Sequence, residues 1–364
     1  MSPLKVKGEL SVTRNEHNDV SIISRRRALG LGLGGAAAAL LAACSAAGKA
    51  TTPESALSAP EKSLLDAAKK EGQVVVYTSS EQSVVDALTK GFQDRYGVLL
   101  QVQRLNSAQL QQRYTAEAQA NTFACDAVLS GDPTIADDFA AKGWVSKING
   151  APAAAQWPAK FLSDNYAIVS INPYTLGINT DLVKESAITD WSMLTDPKWQ
   201  GKIVTVDLKQ VGIVAFPAWD ILRQAYGDDF LRKIGTQQLR LFDSGPSSVQ
   251  QLAAGSGALY YPCSATTAAS LSNQGAPVKT LLPGNAPISG AEVAVYMSAK
   301  GPHPNAAKLF ANYCMITEGQ QALNKVASSP VDAPGAPPLP AKYERPDYQR
   351  AKQTQKELIS LLAM

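Results

Sequence analysis

The sequence contains very little histidine. His17 and His303 are the only two among its 364 residues. His17 lies in an N-terminal segment that we expect to be removed, and His303 stands alone in a Gly-Pro-His-Pro-Asn turn. Zinc sites and Ser-His-Asp triads need histidine grouped with further ligands or with a nucleophile. One isolated histidine therefore argues against both kinds of site.

Cysteine is also scarce. The chain has four cysteines, and Cys44 belongs to a separate motif described below. Cys125, Cys263 and Cys314 remain, so at most one disulfide can form. Each of the three lies in an apolar run that is predicted to be a strand or a helix, where a thiol behaves as a small buried hydrophobe. We expect buried, unreactive thiols.

The chain has no large excess of charge of one sign. Lys and Arg number 34 and Asp and Glu 31, and the residues before Cys44 hold six of these bases and three of these acids. The remainder is near neutral, which argues against a nucleic-acid partner because such domains are strongly basic. No carboxylate pair has a spacing that marks general acid–base chemistry. The sequence therefore predicts no enzymatic reaction and no cofactor.

A hydrophobic run of membrane-spanning length is missing too, since a transmembrane helix needs about 20 apolar residues. The stretch from Ala28 to Ala43 is shorter and carries four glycines. Ser24-Arg25-Arg26-Arg27 precedes it and Leu41-Ala42-Ala43-Cys44 ends it. A twin arginine before such a segment is an export signal, and the last four residues look like a lipobox. We expect a signal peptide at 1–43 and a lipid on Cys44, which anchors the protein on the outer side of a bacterial membrane, in the periplasm or at the cell exterior.

After a small, polar tether expected at 44–60, predicted strands and helices alternate. Buried strands are predicted at 73–78, 98–105 and 124–129, with helices between them, and this alternation is typical of a parallel α/β sheet. The later strands include 203–206 and 258–263. A Pro-rich stretch, 329–346, is expected to wrap the surface before a last helix at 348–362.

Several segments, in a specific order and spacing, resemble one family. They are Val75–Ser79, Phe92–Val98, Asp126–Pro133, Leu176–Leu182, Trp191–Ile203, Gln274–Val278 and Gly301–Phe310. In these segments the chain resembles the solute-binding proteins of bacterial ABC transporters. The resemblance covers roughly residues 71–340 and is to the type II two-lobed class that includes ferric-iron-, phosphonate-, thiamine- and polyamine-binding members.

The resemblance implies a two-lobed α/β fold in which two α/β sheets are joined by extended hinge crossings. Lobe I is expected at 61–165 plus 291–364, lobe II at 173–288, and the crossings at 166–172 and 289–297. It also implies a monomer that closes on a small solute and delivers it to a membrane permease. A ligand-sensing subunit of a membrane kinase and a surface-anchored enzyme remain as alternatives.

Small hydroxyl residues and glycines follow several of the predicted strands. In open α/β sheets ligands bind beyond the carboxyl ends of the strands, where helix N-termini present unpaired N–H groups. Plain helix capping is the alternative for each residue taken singly. The candidate ligand-binding residues are Thr78, Ser79, Ser80, Glu81, Ser130, Asp132, Gly212, Ser244, Ser247, Ser264, Thr266 and Thr267.

Iron-binding members of the family carry an adjacent tyrosine pair about nine residues before the Gly-Ala-Pro segment. Here that position holds Thr266-Thr267, whereas Tyr260-Tyr261 lie in a predicted strand, whose alternation points one ring into the core and the other away. Ferric iron prefers anionic oxygen ligands, which threonine does not supply. An organic solute is therefore favoured, such as a phosphonate or a phosphorylated or carboxylated metabolite. Ferric iron held by Tyr260 and Tyr261 remains the alternative.

Overall fold

The computed structural model of the protein describes residues 57–211, 213–284 and 287–364. The expected signal peptide at 1–43, Cys44, most of the tether and Gly212 lie outside the described residues. The last tether residues are described, and the first helix begins at Ala59 with Ser58 as its N-cap, slightly earlier than expected. None of the described helices is both long and apolar enough to cross a membrane.

The first half of the described chain alternates helices and strands. In order these are α1 (Ala59–Glu71), β1 (Gln73–Thr78), α2 (Gln82–Tyr96), β2 (Leu99–Arg104), α3 (Ser107–Gln119), β3 (Ala127–Ser130), α4 (Thr134–Ala141) and β4 (Val145–Ser146). Helix α2 illustrates how the spacing of apolar residues and a terminal glycine set the position of a helix. It buries Val85, Leu88, Phe92 and Tyr96 along one face, and it ends at Gly97, whose φ of 67° is the left-handed conformation that glycine adopts without strain.

One long strand carries the chain out of the first half. After 3-10 helices at Ile148–Gly150, Pro152–Gln156 and Ala159–Phe161, β5 runs continuously over Tyr166–Asn179, past residue 172, where the first hinge crossing was expected to end. It pairs antiparallel with β10 (Gly290–Ser298). The two backbones approach closely at Gly290, where a Cβ would lie 2.5 Å from the Asn172 carbonyl oxygen. Glycine is therefore needed at this point of the hinge.

The second half is built from shorter elements. They are 3-10 helices at Glu185–Ala187, Trp191–Thr195, Pro197–Trp199 and Ile213–Ala215, with β6 (Ile203–Val206), α5 (Phe216–Tyr226), α6 (Asp228–Gly235), β7 (Arg240–Phe242), α7 (Gly245–Ala253), β8 (Leu259–Ser264), α8 (Ala265–Ser272) and β9 (Val278–Leu281). Three helices follow β10, namely α9 (Pro304–Met315), α10 (Thr317–Leu323) and α11 (Tyr348–Leu361). Helix α6 was not predicted from the sequence.

The strands form a mixed sheet in the order β2-β1-β3-β10-β5-β8-β6-β7, with β4 on β10 and β9 on β5. The predicted parallel pairing is confirmed for β2-β1-β3 and for β7-β6-β8. Strands β5 and β10 depart from the predicted parallel arrangement because they run antiparallel to their neighbours. Since β5 pairs with both halves, hydrogen bonding is continuous from one lobe to the other.

Two separate hydrophobic cores define the two lobes that the sequence predicted. The first core is built mainly from α1, α2, β1, β3, α9 and the first part of β5. The second is built from the end of β5, β6, α5, α6 and β8. The fold class is therefore as expected, an α/β molecule with two lobes and strands that pass between them.

The last helix lies in the other lobe from the one predicted. Ala351, Leu358 and Leu362 belong to the second core, and Arg350 forms an ion pair with Asp220 of α5 at 2.8 Å. A Cβ on Gly235 of α6 would lie 2.7 Å from the Leu361 carbonyl oxygen, so the helices pack closely. The assignment of all of 291–364 to lobe I is thus wrong for α11. Amphipathicity identifies the buried face of a helix but not the core that receives it.

Residues 324–347, which we call the C-terminal strap, form a third connection between the lobes. Ile171 of β5 and Ser328 exchange backbone hydrogen bonds of 2.9 and 2.8 Å. Further along, the Ile288 amide donates to Lys342 and the Glu344 amide donates to the Ile288 carbonyl. The Pro-rich stretch predicted as a surface wrap therefore hydrogen-bonds both segments that join the lobes.

Candidate functional site

The loop after β1 is held by its own hydroxyl. Thr78 is buried, and its Oγ1 donates to the Leu129 carbonyl at 2.9 Å while accepting from the Ser80 amide at 3.0 Å. The first bond ties the end of β1 to β3, and the second holds the loop that follows β1. Ser79 and Ser80 are half-buried beside them. Among these predicted residues, Thr78 therefore shapes the loop, and Ser79 and Ser80 are the more accessible ones.

Glu81 stands at the N-cap of α2 but does not cap the helix with its side chain. Its carboxylate instead accepts from Arg104 Nη2 at 3.2 Å, and Arg104 Nε donates to the Ser80 carbonyl at 2.8 Å. The first N–H groups of α2 are thus left without a side-chain acceptor, next to a guanidinium. Arg104 was not predicted, although its place at the end of β2 could have indicated it.

The loop after β3 carries Ser130 and Asp132. Ser130 is buried and accepts from the Asp132 amide at 3.4 Å. Asp132 Oδ1 accepts from both the amide and the hydroxyl of Thr134, at 3.0 and 2.7 Å. Helix α4 begins at Thr134, with Pro133 as its N-cap residue and no side-chain cap. Both bonds use Oδ1 and hold the loop against the start of α4.

The predicted residues of the second lobe separate into two groups. Ser244 accepts from the Ser247 amide at 3.3 Å as the N-cap of α7, so this pair acts as an ordinary helix cap. Ser264 lies at the start of α8 without capping it, and its Oγ contacts Thr266 Oγ1 at 2.7 Å. Thr267 is half-buried on the same turn. The start of α8 therefore presents hydroxyls together with helix N–H groups.

The tyrosine pair is buried in the second core. Tyr260 and Tyr261 are 2% and 0% exposed, and Tyr261 donates to the Ala218 carbonyl at 2.7 Å. Burial raises the pKa of both phenols well above the ordinary value. The expectation that one ring points away from the core is wrong, because helix α7 lies close to the Tyr260 hydroxyl and covers that side of β8.

Asp126 and the three described cysteines are buried and contribute to the packing and hydrogen bonding of the fold. Asp126 is fully buried and accepts from the amides of Val75 and His303 at 2.7 Å and bonds His303 Nδ1 at 2.9 Å. The thiols of Cys125, Cys263 and Cys314 are free and buried, as predicted, and burial raises the pKa of each. No group of three or more His, Cys, Asp or Glu residues within 57–211, 213–284 and 287–364 is placed to bind a metal ion.

Sequence reasoning missed several buried polar atoms on the crossing segments and on α11. Four buried side-chain oxygens of the hinge strands and of α11 make no hydrogen bond, and they are Asn172 Oδ1, Ser289 Oγ, Tyr296 OH and Tyr348 OH. Buried polar groups are normally paired, so unpaired ones call for a partner. Nothing in their local sequence could have indicated them, because the lack of a partner depends on the tertiary surroundings of each side chain.

The chain belongs to the bacterial extracellular solute-binding protein family, whose model matches residues 87–355. An uncharacterized protein of Haemophilus influenzae is 25% identical over 276 residues, which cover 72% of this chain and 78% of that protein. The resemblance inferred from the sequence motifs is thereby confirmed at the level of the family.

Solved structures of binding proteins share the fold. The periplasmic binding protein AfuA from Actinobacillus pleuropneumoniae, with fructose-6-phosphate bound, superposes with a TM-score of 0.64 at 20% identity, over 80% of this chain and 99% of that chain. Iron-bound HitA from Pseudomonas aeruginosa gives 0.62 at 15% identity, over 79% and 99%. The chain therefore has the two-lobed fold of type II periplasmic binding proteins.

Proposed function

We propose that this protein is the substrate-binding lipoprotein of an ABC importer, which captures a small polar organic solute between its lobes and delivers it to a membrane permease. The solute is a phosphonate or a phosphorylated or carboxylated metabolite. The protein acts as a monomer outside the cytoplasmic membrane, anchored by a lipid on Cys44, and does not transform its solute.

The main support is the chemistry at the ends of the strands. The start of α2 has no side-chain cap and lies beside Arg104, and the start of α8 carries Ser264, Thr266 and Thr267. Unpaired helix N–H groups with neighbouring hydroxyls bind oxyanions. These loops lie on different lobes, so a solute that touches both stabilises the closed state through its differential affinity.

Ferric iron is less well supported, although HitA is iron-bound. Iron prefers anionic oxygen ligands such as tyrosinate. Deprotonation of Tyr260 or Tyr261 is opposed by burial, and the Tyr261 hydroxyl is committed to a backbone carbonyl. A sensor subunit would share this cleft and differ only in its membrane partner.

The test is thermal unfolding of a form that begins at residue 50, stripped of ligand, against ferric citrate, phosphate, 2-aminoethylphosphonate, hexose phosphates, thiamine, polyamines and dicarboxylates. A ligand at 100 times its Kd adds about 2.7 kcal/mol to the free energy of unfolding. We expect a shift with one organic anion. A shift with ferric citrate alone would contradict the proposal.

A matched pair of variants locates the binding site. The double variant Ser264→Ala/Thr266→Val removes both hydroxyls at the start of α8 and should reduce the ligand-induced shift. Thr89→Val, in the middle of α2, should leave that shift unchanged. Equal shifts in both variants would show that α8 does not contact the solute.

A further inference from the structure

Two strands cross between the lobes, and each passes from one core to the other over a few residues. On β5, Ile171 belongs to the first core and Tyr174 to the second. On β10, Val293 packs on the first core and Ala291 on the second, so the change falls at Glu292. Glu292 pairs with Ile171 across the two strands. The two crossings therefore lie side by side, and a rotation of one lobe against the other bends the sheet near Glu292.

The C-terminal strap also passes from one lobe to the other. Tyr343 packs on the first core, whereas Ala351 of α11 is buried in the second. Only Pro346 and Asp347 separate Arg345 from the first residue of α11. Proline fixes its own φ and restricts the backbone of the residue before it. This part of the strap therefore has few free dihedral angles with which to absorb a movement of α11 relative to Arg345.

Arg345 contacts both the β10 crossing and the first lobe. Its Nε and Nη2 donate to the buried Glu292 carboxylate at 2.8 and 2.7 Å. Its Nη1 donates to the Lys160 carbonyl at 2.5 Å. Its guanidinium carbon lies 5.7 Å from the centre of the ring of Phe161, which is a buried member of the first core. The planar guanidinium therefore holds the crossing and the first lobe at the same time.

We propose that Arg345 latches the two lobes in the relative orientation described here. A rotation of the second lobe carries α11 with it, and the short link to α11 then pulls Arg345 away from Lys160 and Phe161. Contacts that are made in only one arrangement stabilise that arrangement over all others. This inference rests on the proposed function, since capture of a solute between the lobes is the step that their movement serves.

The latch gives the strap control over solute binding. The apparent affinity of a solute depends on the population of the lobe arrangement that binds it. A solute that binds the described arrangement gains from the latch, and a solute that binds a rotated arrangement has to displace Arg345 first. Arg345 is thus a regulatory residue although it lies in the strap and not in the strand-end loops.

The experiment measures the distance between the lobes by electron–electron resonance of two spin labels, in ligand-stripped protein that begins at residue 50. One pair of labels is attached through Gln112→Cys in α3 and Lys233→Cys in α6, and a second pair through Lys69→Cys in α1 and Gln250→Cys in α7. All four positions are exposed. The native cysteines of the described chain are buried, so the labels should attach to the introduced thiols.

Arg345→Met/Glu292→Gln removes the latch without leaving a buried charge unpaired. A hydrogen bond from a charged donor is stronger than a neutral one, and the partial exposure of Arg345 weakens it. We expect the ratio of the described interlobe distance to all other distances to fall about tenfold. Arg345→Lys is a milder second variant, because lysine keeps the charge beside Glu292 but lacks the planar fork. It should change the ratio in the same direction, and urea unfolding checks that each variant is folded.

Arg240→Met is the matched control. Arg240 Nε donates to the Gly201 carbonyl at 2.7 Å, and this arginine–carbonyl bond lies within the second lobe. Its loss should leave both distance distributions unchanged, and a change equal to that of the double variant would overturn the inference. Unchanged distributions in the double variant would also overturn it, and so would unchanged distributions in Arg345→Lys if the double variant does not fold. No solute is present, so the latch can fail while the proposed function stands, and a ligand screen without a shift would count against the proposed function alone.

Discussion

At the scale of single residues, the buried carboxylate of Asp126 joins three parts of the first lobe. It accepts from the Val75 amide in β1 and from the amide and ring of His303 before α9. Asp126→Ala leaves these buried donors unpaired, at about 1–3 kcal/mol each. With three donors affected, we expect a loss of about 3 kcal/mol or more in the free energy of unfolding, measured with urea. Asp138→Asn, on the exposed face of α4, is the control, and an equal loss in both variants would contradict the assigned role.

The three described cysteines give a second prediction at this scale. Each is buried, and burial raises the pKa of each thiol, so the reactive thiolate is scarce at neutral pH. In a Cys44→Ser variant, a thiol reagent at pH 7.5 (an ordinary near-neutral buffer, about one unit below the free-cysteine pKa) should label none of them in the folded state. All three should react in denaturant. Rapid labelling of the folded protein would show that one of these side chains is accessible.

Single residues also show the limit of reading a site from sequence. The cap Ser244 was predictable because it depends on a residue three positions away. Asp132 is not the N-cap of α4, since Pro133 occupies that position. The buried, unpaired hydroxyl of Tyr348 was not predictable, because it depends on the tertiary surroundings of the residue. Residue type alone could not reveal that Thr78 uses its hydroxyl inside its own loop.

At the scale of elements, α11 completes the second core. Leu358 is fully buried there, and Leu358→Ala should cost about 2–5 kcal/mol through lost burial and a cavity. Because the lobes have separate cores, amide hydrogen exchange is the suitable measurement. Protection should fall in β6 and β8 and persist in β1 and β3.

Leu182→Ala is the control for that experiment, because Leu182 is an exposed residue of the same lobe. It should leave exchange in both lobes unchanged. Faster exchange in β1 and β3 after Leu358→Ala would mean that α11 supports the first lobe instead, as the sequence had suggested.

The strands and helices differ in how well their existence and bounds could be predicted from local sequence. Strands such as β1 and β6 were predicted at their observed bounds because their apolar runs are short and clearly ended. Helix α6 was missed because it is short and begins directly after Gly227, which itself follows α5. The continuity of β5 across Pro173 depends on β10, β9 and β8, which pair along its length. Such tertiary pairing leaves no local signal.

At the scale of the whole molecule, the strap is fastened to the hinge by a buried charge. Glu292 of β10 is fully buried, accepts from Arg345 Nε and Nη2 at 2.8 and 2.7 Å, and accepts from Tyr343 OH at 2.9 Å. Arg345 also donates to the Lys160 carbonyl of the first lobe. One ion pair thus joins the strap, the hinge and a lobe.

Arg345→Met leaves the Glu292 carboxylate buried without its counter-charge. Breaking a buried pair costs about 3–5 kcal/mol, and we expect the lower end because Arg345 remains partly exposed. Adding Glu292→Gln should restore much of the loss, as measured by urea unfolding of both variants. A double variant no more stable than Arg345→Met would show that packing, and not charge, holds the strap.

The position of α11 in the chain also determines the order in which the residues of the two cores are synthesised. Every residue of the first core lies before α11, whereas the second core needs Ala351, Leu358 and Leu362 from the end of the chain. The residues of the first core are therefore all synthesised before α11, whereas the second core lacks three of its buried side chains until α11 has been synthesised. A chain truncated before Tyr348 would lack these three side chains and would leave exposed the apolar surface of lobe II that they cover.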